Sequence, residues 1–213
     1  MLKENRKTLI ITSILTVLPI VAGLLLWKRL PDPMATHFGL NNEADGYTSK
    51  ALAVFGLPLF CLAVLWFGAV FTARDPKRKN ISPRMFTLIL WLVPVISIAG
   101  NAATYSYNLG HRTDITTYGM LLMGIILTVT GNFLPKARQN YTLGIKLPWT
   151  LANEENWNRT HRLAGYLWTA GGILVIVLAL MGLGASHVMP AAFAAMVFIP
   201  FIYSYLLHTK GGL

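Results

Sequence analysis

Six stretches of at least 20 residues contain no Asp, Glu, Lys, Arg or His. They run over 8–27, 51–73, 85–110, 115–135, 163–186 and 188–207, and together take 134 of the 213 residues. About 20 apolar residues, at ~1.5 Å rise each, are needed to cross the ~30 Å hydrocarbon layer of a bilayer. Each stretch meets that length, and core helices of soluble proteins rarely run so far without a charge. Charged residues are 12% of the chain, about half the share usual in a soluble domain. The fold class expected is an all-α integral membrane protein, a bundle of six transmembrane helices. A disordered chain is excluded, and a soluble globular enzyme fits poorly. The single cysteine, Cys61, excludes a disulfide framework and a Cys-based zinc site within this chain. The first stretch follows Lys3, Arg6 and Lys7 as a signal peptide would. It exceeds the ~7–15 residues of such a segment and leads into Trp27-Lys28-Arg29 without a small-residue cleavage site. It reads as a retained first span.

Cations in the loops orient the spans. The N-terminus, the loop at 74–84, the loop at 136–162 and the C-terminus hold 14 of the 18 Lys and Arg residues. Lys28, Arg29, Lys50 and Arg112 lie on the other side. Six spans put both termini on one side, so both are expected in the cytoplasm. Asp32, Glu43, Asp45 and Asp114 balance the four outer cations, which leaves the whole net charge of +10 on the inner face. Anionic headgroups attract such juxtamembrane cations, each by about 1 kcal/mol. Membrane lipids are therefore expected partners, and direct nucleic-acid binding is not needed to explain the charge.

The uncharged stretches carry no Asp, Glu, His or Lys of the kind that ion-coupled transport and proton relays place in the membrane. The chain lacks His-Glu-x-x-His and the Gly-rich phosphate-cradling loop. No aspartate pair or Ser–His arrangement falls in a span. These absences favour binding over catalysis: no enzyme activity and no cofactor are expected. Pro19, Pro58, Pro94 and Pro200 interrupt four spans, each removing a backbone donor and kinking its helix. Thr16, Ser97, Asn101, Thr104, Asn132 and Thr169 are the polar side chains available to the freed groups. They either bond neighbouring helices or line a polar crevice for a ligand. Gly171, Gly172, Gly182 and Gly184 permit close helix approach, though without a clean Gly-x-x-x-Gly.

Two loops are informative. The outer one, 28–50, has turn signals at Asp32-Pro33 and Asp45-Gly46 around a short extended run at 35–38. His37, Glu43 and Asp45 are its clustered ionisable groups. They act as turn-capping, solvated residues or, through His37 and Asp45, as weak candidates for a divalent metal. The inner loop, 136–162, is too long for a simple connector. Thr150 is placed to cap a short helix with Glu154 and Glu155 near its positive end. Trp149 and Trp157 suit the headgroup layer. This segment either packs on the bilayer or docks a cytosolic protein.

The same loops carry a family resemblance. Leu30-Pro31, Thr36-His37-Phe38 and Asp45-Gly46-Tyr47 resemble a short domain of unknown function, DUF1648. Gly131-Asn132-Phe133-Leu134-Pro135-Lys136, Asn140, Gly144-Ile145-Lys146-Leu147-Pro148-Trp149-Thr150-Leu151, Trp157 and Thr160-His161-Arg162-Leu163-Ala164-Gly165 resemble the signature of the SdpI family. Those are immunity proteins against the sporulation-delaying toxin peptide. Lys146 departs from the family, which usually has arginine there, and lysine cannot make the same planar bidentate contact. The resemblance implies a multi-pass protein of the bacterial cytoplasmic membrane. Such a protein protects its cell from a secreted toxin peptide and, as a receptor, sequesters a cytosolic transcriptional repressor.

The expected organisation is a DUF1648-like two-span unit at 1–84 and an SdpI-like four-span unit at 85–213. His37, Phe38, Asp45 and Tyr47 are the candidate toxin contacts. Asn132, Pro135, Asn140, Gly144, Lys146, Pro148, Trp149, Thr150, Trp157, Thr160, His161 and Arg162 are the candidate inner-partner and signature residues. Two other readings stay open. One is a membrane-surface enzyme using His37 with Asp45, or His161 with Glu154. The other is a small-solute transporter.

Overall fold

The computed structural model describes residues 1–39, 41–111, 113–183 and 188–210. Arg112, counted with the outer cations, and Gly184, counted with the close-approach glycines, lie outside the described residues. In chain order the elements are α1 (Arg6–Leu25), β1 (Met34–Phe38), β2 (Ala44–Thr48), α2 (Lys50–Ala73), α3 (Pro83–Asn108), α4 (Ile115–Phe133), α5 (Pro148–Ala152), α6 (Glu154–Leu180) and α7 (Val188–Lys210). Every described α-helix except α5 is long and apolar enough to cross a membrane. Burial follows the membrane pattern. Thr12, Thr16, Ser97 and Asn101 are enclosed, while Leu25, Phe60 and Leu180 are 82%, 68% and 73% exposed. In water that would be a large apolar surface around polar groups; in lipid it satisfies both.

The chain forms two compact units, Met1–Val70 with Thr87–Leu122, and Phe71–Phe86 with Met123–Leu213. In the first unit α1, α2 and α3 converge at Gly23. A Cβ there would lie 2.6 Å from Val54 Cγ1 and 2.7 Å from the Tyr105 hydroxyl, so only glycine permits this approach. Of the polar groups expected to serve the kinked spans, Ser97 bonds a neighbouring helix, and Tyr105, not among them, does the same. Ser97 donates to the Thr16 carbonyl at 2.7 Å, and Tyr105 to the Pro19 carbonyl at 3.2 Å. Asn101 turns back onto its own helix, donating to the Ser97 carbonyl at 2.8 Å.

The extended run expected at 35–38 is one arm of a hairpin. β1 pairs antiparallel with β2, Met34 opposite Thr48 and Phe38 opposite Ala44, with irregular register on either side of His37. The hairpin rests on Leu30 and Met34, which are buried with Ala53, Val54 and Tyr105.

In the second unit α4 and α6 touch through glycines seven residues apart on each helix. A Cβ on Gly172 would lie 2.6 Å from the Thr128 nitrogen and 2.7 Å from the Gly124 carbonyl oxygen. One on Gly131 would lie 2.6 Å from the Thr169 nitrogen. Gly165 similarly accommodates the Pro135 ring. Close approach holds at Gly171 and Gly172 but not at Gly182, where a Cβ would meet nothing within 4 Å; its signal is a seven-residue repeat of small residues rather than Gly-x-x-x-Gly. α7 lies against α6, with Trp168 Nε1 donating to the Met196 carbonyl at 3.0 Å.

Thr150 caps the short helix α5 as expected, from its third position, where its hydroxyl accepts the Leu147 N–H at 2.9 Å, but the acids differ from expectation. Glu154 and Glu155 belong to the first turn of α6, whose cap is Asn153 accepting the Asn156 N–H. The second helix therefore begins nine residues before the uncharged stretch at 163–186. The cap at Asn153 carries the helix through a polar first turn, so hydropathy alone misplaces the start. In consequence His161 lies on a membrane-crossing helix, which composition did not foresee.

Candidate functional site

The outer hairpin is bolted to the helices below it. Asn108, near the end of α3, accepts the Ala35 N–H and donates to the Ala35 carbonyl, both at 2.9 Å. Asn42, with φ of 65°, accepts the Ile115 N–H at 2.7 Å and so caps α4 from a separate loop. Asp32 accepts the Lys50 N–H at 3.1 Å at the start of α2. The Phe38 ring meets Tyr107 edge-on at 4.6 Å. These contacts leave the opposite face free. His37 Nδ1 donates to Asp45 Oδ1 at 2.5 Å with both side chains mostly exposed, and Tyr47 is 62% exposed. Of the four outer candidates, Phe38 is held inward while His37, Asp45 and Tyr47 face out. Glu43 accepts from Asn41 Nδ2 at 2.6 Å. Among the described residues no three His, Cys, Asp or Glu side chains form a metal-holding group.

Beneath the hairpin are two hollows of about 420 and 260 Å³ that share Thr36, Leu57 and Thr104. Leu52 and Phe60 give the first an apolar wall, and Asn101 and Thr48 add polar atoms. Phe38 and Tyr118 line the second. This is an apolar crevice with a few fixed polar groups, the make-up of a ligand groove.

The second unit holds the signature loop, and most of its polar side chains point inward. Asp75, 2% exposed, accepts from the Lys77 N–H at 2.7 Å, the Tyr141 N–H at 2.9 Å and the Thr142 hydroxyl at 2.7 Å. Gln139 binds Lys77 Nζ and donates to the Thr150 and Leu151 carbonyls at 2.9 and 3.0 Å. Asn140 folds the next turn by accepting the Thr142 and Leu143 N–H groups at 3.0 and 2.6 Å. Neither Asp75 nor Gln139 carries a motif that sequence reading could single out. Their signal is only a polar residue in a turn beside an apolar segment.

His161 is fixed by chemistry as well as packing. Its Nε2 faces the Ile145 N–H at 2.9 Å, an obligatory donor, so Nε2 is the acceptor. Its Nδ1 faces the Trp157 carbonyl at 2.8 Å, so Nδ1 carries the proton. The ring is thus a neutral strut stacked on Trp157 at 4.0 Å, with both nitrogens engaged by backbone. Gly144, at φ of +113°, approaches that pair, and a Cβ would lie 3.1 Å from the Trp157 ring. Trp157 Nε1 donates to the Ala137 carbonyl at 2.7 Å.

The remaining signature residues divide by exposure. Thr160 is buried, donating to Asn156 Oδ1 at 3.1 Å. Trp149 donates to the Ser204 hydroxyl at 3.0 Å and packs on Phe201 and Tyr205 of α7. Asn132, Pro135, Gly144, Lys146, Pro148 and Arg162 are exposed. Lys146 Nζ donates to the Thr142 carbonyl at 3.0 Å, and Arg162 lines an open hollow with Tyr166 and Tyr203.

Six lipid-length helices, an anchored surface hairpin and an internally braced polar loop define a multi-pass membrane protein. The comparisons carry the resemblance read in the sequence. The SdpI/YfhL protein family model matches residues 136–204, and Domain of unknown function (DUF1648) matches residues 14–62. Immunity protein SdpI of Bacillus subtilis (strain 168) is 27% identical over 170 residues, which are 79% of this chain and 80% of that protein. No solved structure matches the chain.

Proposed function

We propose that this is an immunity and receptor protein of the bacterial cytoplasmic membrane, with both termini in the cytoplasm, that protects its cell against a secreted membrane-active peptide. The observation that carries this reading is the crevice under the anchored outer hairpin, in a chain similar to Immunity protein SdpI. A hydrophobic peptide needs apolar wall and a few fixed hydrogen-bonding groups. Leu52, Leu57 and Phe60 supply the wall; Thr36, Thr104 and Asn101 supply the polar atoms. His37, Asp45 and Tyr47 on the outward face make first contact, and Phe38 lines the second hollow. A peptide held there is withheld from forming lesions.

The receptor half of the reading uses the exposed part of the inner loop. Lys146 and Arg162 stand on a braced surface, suited to meeting a cytosolic transcriptional repressor. Signalling then requires two arrangements of the protein with different affinities for peptide outside and repressor inside.

The test is protection. Sensitive cells expressing the chain are challenged with the sporulation-delaying toxin peptide. Survival is expected, with loss of protection in Thr36→Trp, which fills both hollows from their shared wall, at unchanged protein level. Equal killing with and without the protein overturns the reading.

A further inference from the structure

Four cations that no ion pair uses converge on one hollow of the second unit. Lys79, Arg84, Lys136 and Arg138 line a volume of about 550 Å³ together with Ser82 and Phe133, and no acid lines it. The ion pairs among the described residues are Met1 with Glu4, His37 with Asp45, and Arg159 with Glu155, so none of the four is neutralised. Asp75, the nearest acid in sequence, is turned to the backbone of Lys77 and Tyr141 and to Thr142.

The four cations are exposed, and the segments that carry them are braced against each other. The segment before α3 is fastened to the segment after α4 at three points. Asn80 Nδ2 donates to the Gln139 carbonyl at 2.7 Å, Lys77 Nζ reaches Gln139 Oε1, and Asp75 takes the Tyr141 N–H. The two segments are thereby held side by side, with the four exposed cations lining one hollow.

The place of the hollow, at the ends of two spans, points to the anion's source. α3 starts at Pro83, and the span that includes α4 ends at Lys136. The cations therefore stand where two hydrocarbon-crossing helices reach the headgroup layer. Lys136 Nζ lies 5.2 Å from the Phe133 ring centre, and Ile81, Pro83 and Phe133 give the hollow apolar lining beside its cations. The Ser82 hydroxyl accepts the Met85 N–H at 3.2 Å and keeps its own proton to donate. The positive end of α3 adds to the field.

We propose that this hollow binds the phosphate-bearing headgroup of an anionic membrane phospholipid. The site is independent of any toxin recognition. Two guanidinium groups grip phosphate oxygens, the lysines supply charge, and a zwitterionic headgroup is disfavoured by its own ammonium.

The experiment is native mass spectrometry of the full chain in neutral detergent, with phosphatidylglycerol, phosphatidylcholine and inorganic phosphate as probes. One phosphatidylglycerol should be retained in preference to phosphatidylcholine. The pair Arg84→Gln with Arg138→Gln should lower that retention about tenfold. The pair Lys3→Gln with Lys7→Gln, which removes equal charge elsewhere, should not, and Arg84→Lys with Arg138→Lys should restore most of it. Equal retention of both lipids, or equal losses from the two glutamine pairs, overturns the proposal. Displacement of the lipid by millimolar phosphate reassigns the site to free phosphate and overturns the lipid assignment. Should the arginine pair melt at a lower temperature than the parent, single Lys79→Gln and Lys136→Gln variants take its place. Unchanged retention in both of them also overturns the proposal.

Discussion

Replacing Asp75 by asparagine keeps the shape of the side chain and removes what the inner loop is hung on. The carboxylate accepts three donors, from Lys77, Tyr141 and Thr142. An amide has one acceptor oxygen. Turned toward Tyr141 and Thr142, it presents its NH₂ to the Lys77 N–H. One buried donor then goes unmet, at about 1–3 kcal/mol, and two charge-assisted bonds become neutral ones, each weaker by about 1 kcal/mol. A total of at least about 3 kcal/mol corresponds to at least about 100-fold in the local opening equilibrium. Hydrogen exchange read by mass spectrometry in detergent measures that opening. Peptides covering 139–146 should exchange at least about 100-fold faster in Asp75→Asn. Peptides covering the hairpin at 34–48, in the other unit, should not change. Thr142→Val, which deletes one donor and leaves two, should give about fivefold. Asp75→Asn exchange within about threefold of the parent at 139–146 would refute the bracing role of this carboxylate.

Gly172→Ala should destabilise by about 1–3 kcal/mol in a detergent melt, because its methyl meets α4 backbone, whereas Gly119→Ala, with nothing within 4 Å, should be tolerated. The Thr117 hydroxyl, helped by the Thr117 N–H, holds the Asp114 carboxyl below the usual carboxylate range. The stabilisation this brings to the start of α4 is present above the ordinary carboxylate pKa and is lost as pH falls through the depressed value. Thr117→Val should move Asp114 back toward the ordinary value in a carboxyl carbon NMR titration, and an unmoved titration would remove this cause. In a Cys61→Ser background, single cysteines at Tyr47 and Asn158 should label from opposite sides with a membrane-impermeant maleimide; labelling from the same side would sink the proposed topology.

The membrane class was legible because hydrocarbon imposes its length on sequence directly. Runs such as 51–73 need only counting, and α2 occupies Lys50–Ala73. The start of α6 was not legible, because Asn153 caps a polar turn that carries the same helix out of the apolar stretch. The hairpin was half legible. Its turn residues and the run at 35–38 are local, but its partner strand and its ties to Asn108 and Ile115 are contacts between residues about 73 positions apart. The brace at Asp75 was invisible for the same reason: its ligands lie 66 and 67 residues on. The glycine contacts of α4 and α6 leave a faint trace, a spacing of seven at 124 and 131 and again at 165 and 172. That spacing acquires meaning only once the two helices are seen to touch.

The inner signature and the outer hairpin put their residues to different uses, and the difference bears on what a family resemblance can mean here. In the inner loop Asn140, Thr150, Trp157, Thr160 and His161 are buried and bonded to the loop itself. Residues engaged in that way specify a shape. They answer to the geometry of Gly144 and Ala137, and they would be needed whatever the loop met. In the outer hairpin the groups that fix the shape are Asn108, Asn42 and Asp32, while His37, Asp45 and Tyr47 are spent on no neighbour beyond the His37–Asp45 pair. A side chain free of structural duty can change without unfolding the protein, so ligand choice is most readily altered there. Under the proposed function, exchanging the outward hairpin residues for those of a relative should therefore change which peptide is resisted while leaving the melting temperature in place. Exchanging the inner signature residues should do the reverse.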